Sequence, residues 1–397
     1  MKHGYLKDYV TGVAGKRLSA AETDPHSSNQ HEFNGVDSLV AVLGEPAGKQ
    51  KYETRFVYLN DTLEVAIDDV GFLTWYDARQ KAREERNVMR WERRMYYSVN
   101  AALDRATAGD GLLIALLPNR TLLCIIVAGH STTEAQLLWL FGLPSLDERM
   151  KVVPNLDEQP RELTYSVINL LESLGIDVSP PDDNELEKLL AMNGGKFPST
   201  QQLSEFARRI AEANPLDDPD GALLAWYDTE HRLFRLMEYH DVSARLRGGF
   251  MNTDSSVDVD GFLHFSLSVQ NRRKARAGQA LENHFAAILD AWGIRYSRTP
   301  TTEGRNRPDF IIPGIDAYHE PTFPADKLTM VACKSSCKDR WRQILTEANR
   351  IWPKHLLTLD AAVSQNQMEE MEQAGVVLVR VGAAPRPVRR LVLTLRA

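Results

Sequence analysis

The sequence predicts a multidomain protein with a β-rich, barrel-like N-terminal domain and an α/β C-terminal domain. At 397 residues, the chain is long enough for two separate hydrophobic cores. Up to about residue 150, short apolar runs alternate with turn residues, which is typical of a barrel or a sandwich. From about residue 197, helical periodicity gives way to alternating strands and helices, which indicates a sheet with flanking helices.

The N-terminal domain, residues 1–150, is predicted from its apolar strands, at 55–59, 63–67, 112–117 and 121–128. Residues 151–196 contain several prolines, a Gly-Gly pair and few apolar anchors. We therefore interpret them as a linker with one short helix near residues 163–174.

The C-terminal domain, residues 197–397, is predicted to begin with a helix at 201–213, for which Ser199-Thr200 is a plausible N-cap. Further helices are predicted at 223–236, 261–293 (with a break near 276–278), 338–352 and 365–373. Strands are predicted at 295–297, 310–312, 328–334, 355–359 and 376–381.

Composition narrows the class of protein. No apolar run reaches 18 residues and the N-terminus lacks the apolar segment of a signal peptide, so we expect a soluble, cytoplasmic protein without a membrane partner. Three cysteines are too few for a disulfide framework, and their spacing argues against zinc. The net charge of −7 does not indicate nucleic-acid binding, but basic residues cluster at 86–94, 272–276 and 338–342. Local clusters decide phosphate contact.

Three residues predict the chemistry. Asp309 follows a proline at the start of a predicted strand, Lys334 lies 25 residues later at the end of another, and Glu347 lies 13 residues after that on a predicted helix. Carboxylates are the ligands that Mg²⁺ prefers, and an ammonium beside them can contact a scissile phosphate and the attacking water. The ordered set predicts a Mg²⁺-dependent nuclease. The alternative is that Asp309 caps a turn and Glu347 lies on a solvated face.

Glu282, on the amphipathic helix before the Asp309 strand, is a further candidate for a metal or water contact, and an exposed helical glutamate is the alternative. Lys338, Asp339 and Arg340 follow the Lys334 strand. Cations can read guanine O6 and N7, and an acid can accept from cytosine N4. The triplet is therefore interpreted as a reader of G·C pairs, although an ordinary helical first turn would show the same residues.

From about Phe197 onward the chain resembles the catalytic domain of EcoRII-type restriction endonucleases, members of the PD-(D/E)XK nuclease fold. The resemblance is carried by residues 268–278, Arg307-Pro308-Asp309-Phe310, residues 317–319 and, most specifically, residues 333–343. It implies that Asp309 and Glu347 bind the metal and that Lys334 is the catalytic lysine. It also implies that the second acid has moved from the strand, where Ala332 stands, to the next helix.

The same resemblance implies Mg²⁺ as cofactor, double-stranded DNA as substrate, a homodimer and a cytosine methyltransferase as genetic partner. The implied target is CCWGG-like, W being A or T, with outer pairs read by Lys338, Asp339 and Arg340. Through residues 16–20 and the basic run 83–91, the N-terminal half is similar to the family's effector domain, which binds a second copy of the site and restrains cleavage. Arg83, Arg86 and Arg90 are the predicted DNA contacts there, with a solvated helix face as the alternative.

Two other functions fit the sequence. The first is another nuclease of the same fold, for repair or for a mobile element. The second is a DNA-binding regulator whose nuclease domain has degenerated, although the intact Asp309, Lys334 and Glu347 set argues against it.

Overall fold

The computed structural model describes residues 4–23, 31–34, 37–62, 67–86, 89–156, 161–178, 185–192, 194–254, 256–382 and 387–396. The chain divides into two compact units, residues 1–178 with 362–369, and residues 179–361 with 370–397. Every helix among the described residues is too short or too polar to cross a lipid bilayer.

The N-terminal unit is built on one large sheet. Its strands in the described residues are β1 (Gly12–Arg17), β2 (Glu32–Asn34), β3 (Gln50–Leu59), β4 (Ile67–Asp77), β5 (Arg93–Tyr97), β6 (Gly111–Leu116), β7 (Leu122–Val127) and β8 (Lys151–Val153). Their order is β2-β5-β4-β3-β7-β6-β1-β8, so β2 and β8 lie at the edges. The pairing is antiparallel except between β3 and β7, which run parallel. The β-rich character predicted for this unit is confirmed, whereas closure into a barrel stays a prediction.

The unit has a hydrophobic core on each face of the sheet. Because side chains alternate along a strand, Leu112 and Ile114 of β6 enter one core while Leu113 and Ala115 enter the other. Burial on both faces explains why β6 and β7 are uninterrupted apolar runs in the sequence. The first core also includes Phe33 of β2 and Ala14 of β1, which come from distant strands, as expected for a curled sheet.

The helices of this unit are α1 (Ala20–Thr23), α2 (Val40–Leu43), α3 (Gln80–Arg86), α4 (Thr132–Phe141) and α5 (Tyr165–Ser173), with 3₁₀ turns at Leu6–Asp8, Asp37–Leu39 and Leu103–Arg105. Part of the segment predicted as a linker lies in the compact unit. Strand β8 pairs with β1, and Val167, Leu170 and Leu171 of α5 are buried in the second core. Burial of these side chains extends the unit to Val178, beyond the boundary predicted at residue 150.

The C-terminal part of the chain contains α6 (Glu185–Met192), α7 (Thr200–Ile210), α8 (Pro219–Arg247), α9 (Val259–Ala291), α10 (Ile315–His319), α11 (Gln365–Gln373) and α12 (Pro387–Arg396). Ser199 caps α7 as predicted, since its hydroxyl accepts from Gln202 N at 3.2 Å. The break predicted near 276–278 is absent from α9, which runs continuously for 33 residues. Tertiary packing offsets the weak helix propensity of Gly278, since Tyr227 donates to Ala277 O at 3.0 Å and Arg276 lies over the Phe197 ring.

The second sheet comprises β9 (Ser297–Arg298), β10 (Phe310–Ile312), β11 (Thr329–Lys334), β12 (Lys354–Thr358) and β13 (Val376–Arg380), in the order β13-β12-β11-β10-β9. Strands β9 to β11 are antiparallel, and β11 to β13 are parallel. Short 3₁₀ turns occupy Glu303–Arg305 and Ala325–Lys327, and a longer 3₁₀ helix occupies Lys338–Thr346. The predicted α/β organisation is confirmed: α9 packs against the sheet through Phe285, whose ring lies edge-on to Phe310 at 5.2 Å.

Candidate active site

Asp309 lies immediately before β10, at the edge where β10 meets β11. The antiparallel register pairs Phe310 with Val331, so Asp309 is opposite Ala332. Its Oδ2 accepts hydrogen bonds from the backbone N of Cys333 at 2.7 Å and from Lys334 Nζ at 3.0 Å. The two bonds hold the carboxylate in one orientation beside the end of β11.

Lys334 is the last residue of β11, and its side chain is 23% exposed beside the 14% exposed Asp309. Burial lowers the pKa of Lys334, but the Asp309 and Glu347 carboxylates raise it, and the pKa ends above its ordinary value. The ammonium therefore stays charged at neutral pH. Asp309 and Lys334 come together as the sequence predicted, and the sheet register positions them.

Glu347 lies close enough to interact electrostatically with Asp309 and Lys334, but it is not on a helix. The helix predicted at 338–352 is wrong: a 3₁₀ helix ends at Thr346, and Glu347 has an extended backbone, with φ −87° and ψ 143°. Trp341 and Ile344 are 3% and 0% exposed, and a spacing of three fits one face of a 3₁₀ helix as well as an α-helix. The next residue, Ala348, has a φ of 48°, which an α-helix does not allow.

The Glu347 carboxyl is half-buried among charges. Burial and, to a smaller extent, the Asp309 carboxylate raise its pKa, Lys334 and Lys354 lower it, and the net result is a pKa of about 7. Ionised Glu347 and Asp309 therefore repel each other in the protein alone. A divalent cation between them would relieve this repulsion, and carboxylate oxygens suit Mg²⁺.

Glu282 on α9 lies close enough to Asp309 and Lys334 for their charges to shift its pKa. It accepts hydrogen bonds from Arg298 Nη2 at 3.1 Å and Nε at 3.3 Å. Burial raises its pKa, as does the Asp309 carboxylate, while Arg298 and Lys334 lower it. Glu282 is therefore not the freely exposed helical glutamate of the alternative interpretation, but one of its oxygens, Oε2, already accepts from an arginine.

The carboxylates at this site suit a hard cation that takes only some of its ligands from the protein. Asp309 and Glu347 are the carboxylates that could hold such an ion, and Lys334 supplies the neighbouring positive charge. Within the described residues, no three His, Cys, Asp or Glu side chains are arranged to hold a metal by themselves. Mg²⁺ often takes one or two carboxylates and completes its shell with water and phosphate oxygens, so two acids are sufficient.

Lys338, Asp339 and Arg340 form the first turn of the 3₁₀ helix that follows β11. Lys338 is partly exposed, whereas the side chains of Asp339 and Arg340 lie outside the described part of the structure. The triplet is therefore near the site along the chain, four to six residues after Lys334. Its contacts with bases stay a prediction.

The predicted arginines of the N-terminal unit have different surroundings. Arg83 on α3 pairs with Asp77 at 2.5 Å, and its guanidinium lies 3.2 Å from the centre of the Trp91 ring. Arg86 and Arg90 are exposed. Arg83 is thus bound into the fold, and the other two have the accessibility that a phosphate contact needs.

Sequence reasoning missed Arg298, which pairs with Glu282, and Lys354, which is 4% exposed and acts electrostatically on Glu347. Arg298 is opposite Phe310 in the β9–β10 register, and Lys354 begins β12. No motif spacing marks either residue, because strand pairing brings them to the site.

One known protein family matches the part of the chain that contains this site. Residues 234–390 match the family model described as EcoRII C terminal. Asp309, Lys334 and Glu347 all lie within the match, and the resemblance predicted from the sequence is confirmed.

The chain is 41% identical over 207 residues to the type II restriction enzyme EcoRII of Escherichia coli, across 51% of this chain and 50% of that enzyme. It therefore spans about half the length of the curated relative it matches. Among solved structures, metal-depleted Ecl18kI in complex with uncleaved, modified DNA has a TM-score of 0.41 at 18% identity, covering 55% of this chain and 85% of that one. A complex of restriction endonuclease PspGI with substrate DNA has a TM-score of 0.37 at 16% identity, covering 50% and 87%.

Proposed function

We propose that the protein is a type II restriction endonuclease that makes Mg²⁺-dependent double-strand cuts at a short palindromic DNA site, CCWGG-like in sequence. The observation that carries the proposal is the convergence of Asp309, Lys334 and Glu347 at one end of the second sheet. It is supported by the family match over residues 234–390 and by the similarity to EcoRII.

Asp309 and Glu347 are the residues that would hold Mg²⁺, which when bound polarises a phosphate and lowers the pKa of a water. Lys334 keeps its proton and can donate it in a hydrogen bond to the phosphate or to the attacking water, stabilising negative charge as it develops. The bond from Cys333 N keeps Asp309 in place during these contacts. Glu282, which is hydrogen-bonded to Arg298, contributes to the electrostatic potential at the site.

Lys338, Asp339 and Arg340 are proposed to read the outer C·G pairs. The start of the 3₁₀ helix directly after the Lys334 strand supports this role, because bases next to the cleaved phosphate must be close to the catalytic lysine. A methyltransferase that modifies cytosine in the same sequence is the expected genetic partner, since the host's own sites need protection.

We propose that the enzyme acts as a homodimer, because a palindrome presents two equivalent scissile bonds. An apolar stripe on the first turns of α9 supports this. Val259, Phe262, Leu263 and Leu267 are 45–59% exposed at helical spacing, and contiguous exposed apolar surface marks an interaction site. The same stripe of a second copy would cover it, since a two-fold axis brings the two stripes face to face.

The N-terminal unit is proposed to bind a second copy of the DNA site and to stimulate cleavage. Support comes from its exposed Arg86 and Arg90 beside the curled sheet of the same unit. The resemblance of this half to an effector domain is the other support.

The test is digestion of a plasmid with several CCWGG sites, with and without Mg²⁺, by the wild type and by Lys334→Ala. We expect discrete bands that require Mg²⁺ and at least a hundredfold slower cleavage by the variant, the magnitude typical for loss of one transition-state donor. A smear would favour a nuclease of other specificity. Shifted but uncut DNA would favour a binding regulator. Equal rates for both proteins would overturn the mechanism.

A further inference from the structure

Glu347 is held by tertiary contacts, because the helix before it has already ended. Its backbone N donates to Ile344 O at 3.1 Å, and the positive φ of Ala348 turns the chain away directly afterwards. A residue within an α-helix is oriented by that helix. Glu347 instead stands in a turn, so other groups must fix where its carboxylate points.

Two side chains grip the backbone just before Glu347. Asn306 Nδ2 donates to the carbonyl oxygen of Thr346 at 2.7 Å, and Lys354 Nζ donates to that of Leu345 at 2.6 Å. These are carbonyls at the end of a 3₁₀ helix, which have no partner within the helix itself. Each bond therefore satisfies an acceptor and ties the turn to another element.

The bond from Asn306 is the informative one, because Asn306 stands three residues before Asp309. The loop that carries it is closed by its own bonds, from Thr302 N to Asn306 O at 2.9 Å and from Asn306 N to Glu303 O at 3.1 Å. The loop at residues 302–306 therefore lies just before Asp309 in the chain and is hydrogen-bonded to Thr346, the residue before Glu347.

A second contact ties the same two segments together. Glu303 Oε2 accepts from Asn349 N at 3.4 Å, while Oε1 accepts from the Tyr318 hydroxyl at 2.5 Å. The Arg350 guanidinium donates to Tyr318 O and, at 3.0 Å, to Phe323 O. The turn is consequently held on both sides of Glu347, at Thr346 and at Asn349–Arg350.

We infer that Asn306 is a positioning residue that sets the separation of the Asp309 and Glu347 carboxylates, and hence the affinity of the site for a divalent cation. The inference rests on the proposed function. Asn306 is uncharged, so its contribution is geometric, unlike that of Lys354, whose charge also acts on Glu347. Residues that orient metal ligands typically change metal affinity by 10- to 100-fold when they are altered.

The test measures Mn²⁺ binding to the full chain, without DNA, from the electron paramagnetic resonance signal of the free ion. Asn306→Ala removes the donor, and Asn306→Leu removes it at nearly constant size without adding a charge. Thr346→Ala is the matched control, since it leaves the accepting backbone carbonyl in place and removes only a hydroxyl bonded to Gln343 O. Thermal unfolding of each variant checks that it is folded.

We expect both Asn306 variants to bind Mn²⁺ about tenfold more weakly and to need correspondingly more Mg²⁺ for half-maximal cleavage, with recovery at high Mg²⁺. Thr346→Ala should match the wild type. Wild-type affinity in Asn306→Ala, or equal losses in Asn306→Ala and Thr346→Ala, would overturn the inference while the nuclease proposal stands. A wild type that neither binds Mn²⁺ nor cuts DNA would overturn both.

Discussion

Asp309 and Lys334 are 25 residues apart in the sequence, yet Lys334 Nζ lies 3.0 Å from Asp309 Oδ2. The antiparallel register of β10 and β11 produces this contact, because it sets Asp309 opposite Ala332 at the end where Lys334 leaves the sheet. Ala332 is small and fully buried, so a second carboxylate at this edge has to come from elsewhere, and we propose that Glu347 supplies it from the turn after the 3₁₀ helix.

Cleavage at subsaturating Mg²⁺ should depend on the ionisation of Glu347. Its pKa of about 7 in the metal-free protein means that Mg²⁺ competes with a proton below that pH. The rate should fall about tenfold per pH unit below 7 and level off above it. Rates measured from pH 5.5 to 9 at low and saturating Mg²⁺ test this, since saturation should move the midpoint to lower pH. A midpoint that ignores Mg²⁺ would contradict the assignment.

The metal-free protein should gain stability from Glu347→Gln at high pH. A carboxyl group whose pKa is raised from 4.5 to about 7 by folding stabilises the fold fully below pH 4.5 and loses that contribution as pH rises through 7. The amide has no charge to bury. Melting temperatures with a chelator should be similar near pH 4.5 and higher for the variant at pH 8. A constant difference across this range would show that Glu347 does not titrate as described.

Lys338→Ala should weaken specific binding by about 1–3 kcal/mol and relax discrimination at one outer base pair, because a side chain that reads a base edge carries that much selectivity. Arg342→Ala is the matched control on the same 3₁₀ helix, since Arg342 pairs with Glu370 at 2.5 Å. Competition binding with duplexes altered at single outer positions gives the measurement. Equal weakening on all duplexes would indicate a phosphate contact instead.

Phe262→Ser combined with Leu263→Ser should separate the proposed homodimer. Both side chains are about half exposed, so the fold should tolerate the change while the apolar stripe loses contact area. Sedimentation velocity should show a lighter species, and plasmid digestion should yield fewer linear products. Leu393→Ser on α12, also 49% exposed, serves as the control. A wild type that already sediments as a monomer would exclude this role for the stripe.

Short duplexes carrying the site should accelerate cleavage of a single-site plasmid if the N-terminal unit is an effector. Arg86→Ala and Arg90→Ala should reduce this stimulation without changing basal cleavage, since both residues are exposed. Arg83→Ala should instead lower the melting temperature of the unit, because Arg83 pairs with Asp77 and lies against Trp91. Stimulation that is unaffected by both exposed arginines would place the second DNA site elsewhere.

The sequence by itself predicted two domains, one β-rich and one α/β, and the approach of Lys334 to Asp309. Strand patterns and reactive side chains can be read from short stretches of sequence. The strands β6, β7, β10 and β11 are apolar runs because they are buried. It also indicated Ser199 as a helix cap, since capping depends on residues three positions apart.

Only the tertiary structure decided how Glu347 reaches the site. Apolar residues recur every three or four positions in both α- and 3₁₀ helices, so the sequence pattern did not reveal that the helix ends at Thr346. Arg298, Lys354 and Asn306 were likewise invisible, because strand register and loop closure bring them to the carboxylates. Such contacts join residues distant in sequence, and no local propensity encodes them.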